Sequence, residues 1–148
     1  MVQPLIRCVE SDQIQYLCKQ NPTFIAMAIR KFPFLFIPSF RSRYDDWYTM
    51  KSTAYAHKPV ESEYLSGSFM ICRRSVLDLV GWFDEQYFLY LEDADLTRSM
   101  AAYGACIHYP LVSVRHHWAR ENHSNIRLVF ANIISFFRYS FKWGFKFR

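Results

Sequence analysis

One stretch, residues 81–96, limits the folds open to this chain more than any other. It reads Gly-Trp-Phe-Asp-Glu-Gln-Tyr-Phe-Leu-Tyr-Leu-Glu-Asp-Ala-Asp-Leu, so five carboxylates stand among aromatic and aliphatic side chains. A carboxylate among apolar residues is costly to bury unless it has partners. The stretch therefore indicates either chemistry at this place or strong capping of a helix.

The N-terminal third predicts one strand, one helix and a long loop. Residues 5–9 are typical of a short strand. Asn21 and Pro22 predict the cap and the first residue of a helix that ends near Phe32, just ahead of the next proline. Three prolines and many aromatic residues favour a long loop with little regular structure over residues 33–60.

The centre of the chain predicts a strand over residues 64–71, interrupted by a Ser-Gly-Ser turn. The glycine of this turn, Gly67, allows a backbone or a ligand to approach closely. Ser75 and Asp78 have the spacing of a capping box and predict a short helix. Gly81 is expected to end that helix.

The acidic residues predict the start of another helix. It should run from Glu92 to Tyr103 and end at a glycine, with Asp95 paired to Arg98. Acids in the first turn match the helix dipole at about 0.3–1 kcal/mol each, so capping alone can explain them. The face expected to pack on the core is formed by Leu96, Ser99, Met100 and Tyr103.

The C-terminal third predicts strands over residues 106–109 and 112–116, and a helix over residues 124–139. The tail, residues 138–148, alternates aromatic with basic side chains, and the whole chain has a formal charge of +5. Aromatic residues mixed with cations suit an anionic membrane surface. They would also fit single-stranded nucleic acid, since bases stack on aromatic rings.

Glycine and cysteine usage exclude some classes of site. The chain has only four glycines, and none falls in a G-x-G-x-x-G or P-loop pattern. A phosphate-cradling turn is therefore not expected. The four cysteines are scattered, no signal peptide opens the chain, and free thiols in a reducing cytosol are expected.

The run from 81 to 96 resembles the acceptor-side motif of family-2 glycosyltransferases. It is most similar to the bacterial rhamnosyltransferases that build O-antigen and other surface polysaccharides. Three further segments are similar to that family. Residues 15–23 resemble the segment after the nucleotide-binding half, residues 64–70 the acceptor loop, and residues 142–144 the C-terminal end.

This resemblance implies roles for individual residues. Asp93 would act as general base on the acceptor hydroxyl, with Glu92 beside it. His116, with His117 as second choice, would lie near the diphosphate and could ligate a metal. The residues that would bind the acceptor are Ser66, Gly67, Ser68, Trp82, Asp84 and Glu85.

The resemblance also implies a divalent cofactor, Mg²⁺ or Mn²⁺, in the intact enzyme. Asp93-Ala94-Asp95 has the D-x-D pattern that holds this metal in the family. Two acids at positions i and i+2 of a helix point about 200° apart, so they would not chelate one ion. We therefore expect the main metal-binding motif to be missing from this chain.

The implied architecture is α/β, or α+β when taken as a fragment. The chain would be the C-terminal, acceptor-side part of a GT-A fold, without the N-terminal nucleotide-binding half. Residues 1–123 would form the acceptor-side half of the domain. Within them, residues 33–60 would lie over the active site as a loop. Residues 124–148 would form a C-terminal helix and a basic aromatic tail.

The implied function is that of a truncated rhamnosyltransferase, inactive alone. The intact enzyme would transfer rhamnose with inversion from a dTDP-sugar to a polyprenyl-diphosphate-linked glycan. It would work at the cytoplasmic face of the inner membrane, held there through residues 138–148, with no nucleic acid as partner. The alternative is a basic membrane-associated or nucleic-acid-binding module without catalysis, in which changing Asp93 to asparagine would have no effect.

Overall fold

The computed structural model describes residues 1–55, 57–117 and 126–147, and it is a mixture of helices and strands. The described strands are β1 Val2–Cys8, β2 Cys18–Lys19, β3 Val60–Glu61, β4 Tyr64–Leu65 and β5 Ile107–His116. The described helices are α1 Phe24–Lys31, α2 Pro38–Tyr48, α3 Arg74–Val80, α4 Glu92–Ala101 and α5 Ile126–Trp143. The mixed α/β class expected from the sequence is confirmed.

The larger sheet has the strand order β1-β5-β3, with β1 parallel to β5 and β3 antiparallel to it. The predicted strands at 106–109 and 112–116 form one element, β5. Its register against β1 shifts, so that Pro4 pairs with Tyr109 but Leu5 pairs with Ser113. Pro110 lies within this irregularity, where a residue without an N–H is tolerated.

The predicted end of α1 is confirmed, and its predicted start is wrong. The cap is Thr23, whose Oγ1 accepts the N–H of Ala26 at 3.1 Å. Asn21 instead accepts the Tyr139 hydroxyl at 2.7 Å, which joins this turn to α5. Thr23 has the extended backbone that a cap requires, so the helix begins two residues later than expected.

The prediction of an irregular loop over residues 33–60 is wrong. A 3₁₀ turn, Pro33–Leu35, and the helix α2 occupy its first half. Pro38 is the first residue of α2, where a missing N–H and a fixed φ favour a helix start. Tyr44 and Tyr48 are the buried residues of α2, and they pack in one cluster with residues of α1.

Only part of the predicted strand over 64–71 forms, because β4 ends at Leu65 and Ile71 makes an isolated bridge. The predicted capping box of α3 is also wrong. No side chain caps this helix, and Asp78 accepts from Arg74 Nε at 3.1 Å instead. Gly81 ends α3 as predicted, with a φ of 83°.

The helix α4 is confirmed, although it ends at Ala101 rather than at Tyr103. Leu96 and Met100 are buried in a core cluster as predicted. Tyr103 is 56% exposed, so its expected place on the packed face is wrong. The helix stops before completing another turn, and Tyr103 lies beyond it.

The helix α5 extends four residues beyond the predicted end, to Trp143. Its inner face packs on the domain through Ser135, Phe136, Tyr139 and Ser140. The predicted boundary between residues 123 and 124 lies outside the described residues. None of the helices described is both long enough and apolar enough to cross a membrane.

Candidate functional site

The carboxylate of Asp93 lies at the start of α4 and is only 8% exposed. Its Oδ1 accepts the Tyr64 hydroxyl at 2.9 Å and the N–H of Ala94 at 3.0 Å. Its Oδ2 accepts the backbone N–H of Gly67 at 2.9 Å. Three donors occupy three of the roughly four lone-pair sites of a carboxylate, so one site is left for a further donor.

The Ser-Gly-Ser turn, residues 66–68, is held against this carboxylate. Gln3 of β1 is fully buried and donates its Nε2 to the carbonyls of Ser66, at 2.5 Å, and Phe69, at 3.2 Å. A Cβ at Gly67 would lie 3.5 Å from the Cβ of Asp93. The missing side chain therefore keeps the space beside the carboxylate open, as the sequence predicted for this glycine.

In the turn, in Gln3 beneath it and in Glu92 next to Asp93, three buried polar atoms have no hydrogen-bond partner within the described ranges: Gln3 Oε1, Ser68 Oγ and Glu92 Oε2. Burial, and the charge of Asp93 next in sequence, raise the pKa of Glu92. Buried polar atoms in native proteins are nearly always paired. Unpaired ones beside a held carboxylate indicate a place where a polar ligand is received.

The backbone just before Glu92 is strained. Tyr90 and Leu91 are consecutive non-glycine residues with φ of 69° and 65°. Such left-handed conformations cost of order 1–3 kcal/mol each and tend to occur at functional sites. Here they let α4 begin abruptly, so that Glu92 and Asp93 stand at its first positions.

Asp95 is a structural residue, but its predicted partner is wrong. It is 2% exposed and accepts from Lys142 Nζ at 2.8 Å and from Trp143 Nε1 at 2.6 Å. Arg98 instead donates to the Tyr139 hydroxyl at 3.3 Å. The sequence could not pair these residues, because Lys142 and Trp143 reach Asp95 only through the docking of α5.

The other predicted acceptor-binding residues are Trp82, Asp84 and Glu85, and the contacts found for them are with residues other than Asp93. Trp82 is half-exposed, and its Nε1 donates to Asp78 at 3.0 Å. Asp84 lies 3.4 Å from Lys142 Nζ, and Glu85 is exposed. As far as the structure describes the chain, none of the three forms a hydrogen bond with Asp93.

The two histidines proposed as metal ligands have other partners. His116 Nδ1 lies 3.2 Å from Gln15 Oε1, and His117 Nδ1 is paired with Glu10. Across residues 1–55, 57–117 and 126–147, no group of three ligating side chains forms. The described residues therefore do not fit a divalent ion, and no chemical step is derived through one.

The sequence did not predict the role of Tyr64, whose side-chain hydroxyl donates to Asp93. Tyr64 falls in a segment whose strand pattern gives no sign of a hydroxyl partner for a distant acid. Lys142 and Trp143 belong to the tail that the sequence predicts at a membrane surface, and they resemble the C-terminal end of the family, but neither pattern predicts a bond to Asp95. Their contacts with Asp95 link that end to the acidic stretch.

Comparison with known proteins agrees with the motif. Over 122 residues the chain is 33% identical to rhamnosyltransferase WbbL of Escherichia coli K12, covering 80% of this chain and 41% of that protein. Over 76 residues it is 39% identical to an N-acetylglucosaminyl-diphospho-decaprenol L-rhamnosyltransferase of Mycobacterium tuberculosis, covering 47% of this chain and 25% of that protein. The chain is rhamnosyltransferase-like. The resemblance to family-2 glycosyltransferases is thereby confirmed at this level.

The rhamnosyltransferase-like chain spans less than half the length of these curated relatives. No family model matches the chain, and no solved structure does. The similarity therefore supports the kind of enzyme, while the roles of single residues and the GT-A architecture stay predictions.

Proposed function

We propose that this chain forms the acceptor side of an inverting rhamnosyltransferase with a GT-A fold, in which Asp93 is the general base. The observation that carries the proposal is the position of Asp93. It is buried at a helix start, and it accepts hydrogen bonds from Tyr64 and from Gly67 of the Ser-Gly-Ser turn, residues 66–68. A base must lie within hydrogen-bond reach of the proton that it removes. The open space at Gly67 and the unused lone pair of Asp93 provide such a place.

The chemical step follows from this geometry. An acceptor hydroxyl donates its hydrogen bond to the free lone pair of Asp93. As the hydroxyl oxygen attacks the anomeric carbon of rhamnose, its proton passes to Asp93, and the bond from that carbon to the diphosphate breaks. The leaving diphosphate takes the electron pair, and attack from the opposite side inverts the anomeric centre.

Glu92 and Ser68 are the groups that we expect to position the acceptor. Glu92 Oε2 and Ser68 Oγ are buried and lack partners among the described residues, so each can bond a neighbouring sugar hydroxyl. Ser66 and Gly67 shape the turn, while Trp82, Asp84 and Glu85 would contact more distant parts of the glycan.

The donor is proposed to be dTDP-rhamnose and the acceptor a glycan on a polyprenyl diphosphate. The name of the mycobacterial relative specifies N-acetylglucosaminyl-diphospho-decaprenol, which is a lipid-linked acceptor of this kind. A divalent metal is part of the proposal, although the described residues do not form a site for it.

A membrane-surface location is proposed from the outer face of α5. Its exposed apolar residues recur every three or four positions, and residues 126–148 contain no acid. Basic side chains, among them Arg138 and Lys146, flank this face, as expected for a helix lying on an anionic bilayer. We place the enzyme at the cytoplasmic face of the inner membrane. The exposed apolar residues are Ile126, Phe130, Ile134, Phe137 and Phe141.

The test is a chimera in which this chain replaces the matched region of the Escherichia coli relative. Transfer of labelled rhamnose from dTDP-rhamnose to a polyprenyl-diphosphate-linked N-acetylglucosamine is then measured. The proposal expects product from the chimera and loss of product on Asp93→Asn, with Asp46→Asn, an exposed acid on α2, as matched control. Equal transfer by the two variants would reject Asp93 as the base.

A further inference from the structure

A cavity of about 380 Å³ lies beside the candidate active site and is lined by three cations. Lys19 comes from β2, while Arg30 and Lys31 come from the last turn of α1. The same cavity has an aromatic wall, formed by Tyr48, Tyr64 and Tyr90. Neither the motif nor the relatives assign a function to this cavity.

The charge of the cavity is not balanced. Asp45 is the acid in its lining, and it lies 3.7 Å from Arg30. In the part of the chain that the structure describes, no carboxylate is within ion-pair distance of Lys19 or Lys31. Cations gathered in a cleft attract an anionic ligand, because the low-dielectric walls focus their field.

Aromatic rings hold the two lysines in place. Lys19 Nζ lies 4.5 Å from the centroid of the Tyr64 ring, and Lys31 Nζ lies 5.6 Å from that of Tyr90. Burial, with the charge of Arg30, lowers the pKa of Lys19 to about 8. The carboxylates of Asp93 and Asp45 raise this pKa, but they do not outweigh the burial.

The cavity shares a wall with the candidate active site. Tyr64 lines the cavity with its ring while its hydroxyl donates to Asp93. Leu91, also in the lining, immediately precedes Glu92. A molecule that extends along this shared wall can place an anion in the cavity and a hydroxyl beside Asp93.

Exposed apolar residues follow the cationic wall along the chain. Phe34, Leu35 and Ile37, just after Lys31, are 78%, 67% and 72% exposed. On the other side, Asn132 of α5 lines the cavity and stands in sequence between the exposed Phe130 and Ile134. A ligand with an anionic head and an apolar chain matches these surroundings better than a nucleotide does.

We infer that this cationic cavity is the subsite for the diphosphate of the lipid-linked acceptor. Lys19, Arg30 and Lys31 contact the diphosphate oxygens, and the prenyl chain leaves along the exposed apolar residues. The inference deepens the proposed function, and it rests on that function for the lipid-linked nature of the acceptor. A diphosphate can also belong to a nucleotide-sugar donor, so the experiment compares both sources.

The experiment titrates the full chain with geranyl diphosphate, and in parallel with dTDP, by isothermal calorimetry. Variants Lys19→Met and Lys31→Met are compared with Lys58→Met, an exposed lysine outside the cavity. Loss of one charged contact is expected to weaken geranyl diphosphate binding about tenfold or more for each cavity lysine, and not at all for Lys58→Met. Circular dichroism checks that each variant is folded, and Lys19→Arg should keep most of the affinity.

Three results would overturn the inference: no binding of geranyl diphosphate, equal binding by the cavity and control variants, or tighter binding of dTDP than of geranyl diphosphate. The readout needs no sugar transfer, so it is independent of the base assignment. If the chain binds geranyl diphosphate but the chimera does not transfer rhamnose, the proposed function is refuted and the subsite is not. If the chimera transfers rhamnose in an Asp93-dependent way but the cavity lysines do not affect geranyl diphosphate binding, the subsite is refuted and the proposed function is not.

Discussion

Changing Asp95 to asparagine should loosen the end of α5 and lower the free energy of unfolding by about 2 kcal/mol. Asp95 accepts from Lys142 Nζ at 2.8 Å and from Trp143 Nε1 at 2.6 Å, and Arg98 of α4 also lies over the Trp143 ring. Its Oδ1 also lies 3.4 Å from the Tyr87 hydroxyl. Asparagine fits the same space, so the change removes the charge and one acceptor without leaving a cavity.

The expected loss of stability follows from how deeply Asp95 and its partners are buried. A hydrogen bond to a buried charge contributes about 1.5–3 kcal/mol, and asparagine can still accept the Trp143 N–H. The Lys142 side chain is 40% exposed, so its part of the ion pair is screened and adds little. Partial burial would lower the pKa of Lys142, but the hydrogen bond and charge of Asp95 outweigh it and raise that pKa.

The assay is urea denaturation followed by far-UV circular dichroism at pH 7. Asp46→Asn, at an exposed ion pair with Lys51, is the matched control and should change stability by less than about 0.5 kcal/mol. A Lys142→Met variant completes a double-mutant cycle, in which coupling with Asp95 is expected. If Asp95→Asn were no more destabilising than Asp46→Asn, the account of how α5 is held would be wrong.

Three further predictions concern the site, the cavity and the membrane face. Gly67→Ala should fold normally, because its Cβ meets Asp93 at ordinary contact distance, but should lower transfer in the chimera by covering the carboxylate. Because the pKa of Lys19 is lowered to about 8 in the folded state, that state binds fewer protons above this pH than the unfolded state does. Stability in urea should therefore rise from pH 8 to about 9.5, and less so in Lys19→Met. Phe141→Ser should weaken sedimentation with anionic vesicles, whereas Phe69→Ser, exposed elsewhere, should not.

Local signals in the sequence predicted elements whose ends are fixed by local chemistry. Gly81 ends α3 because it adopts a positive φ, and Pro33 excludes the continuation of α1. At Pro38 the local signal was misleading, because the predicted loop is in fact the start of α2. A proline is compatible with both a loop and a helix start, and only the packing of Tyr44 and Tyr48 on α1 decides between them.

The candidate site was predicted as a motif but not as a geometry. Adjacent acids before an apolar helix pattern located Asp93, and the Ser-Gly-Ser turn was recognised as a place of close approach. The hydrogen bonds from Gly67 and Tyr64 to Asp93 form only when the fold brings together elements that are far apart in sequence. The cationic cavity was missed for the same reason, since Lys19 and Lys31 are brought together only by the fold.

The measurement that tests the account most directly is rhamnose transfer by the chimera carrying Asp93→Asn. General-base catalysis contributes about 10²–10⁴-fold, so the rate should fall at least about 100-fold. Acceptor binding should stay close to that of the unmodified chimera. The urea midpoint should fall, because asparagine replaces one of the two oxygens that accept from Tyr64, Gly67 and Ala94, so the rates are compared under conditions in which both proteins are folded. Transfer within a few-fold of the unmodified rate, in a variant shown to be folded, would contradict the assignment of Asp93 as the base.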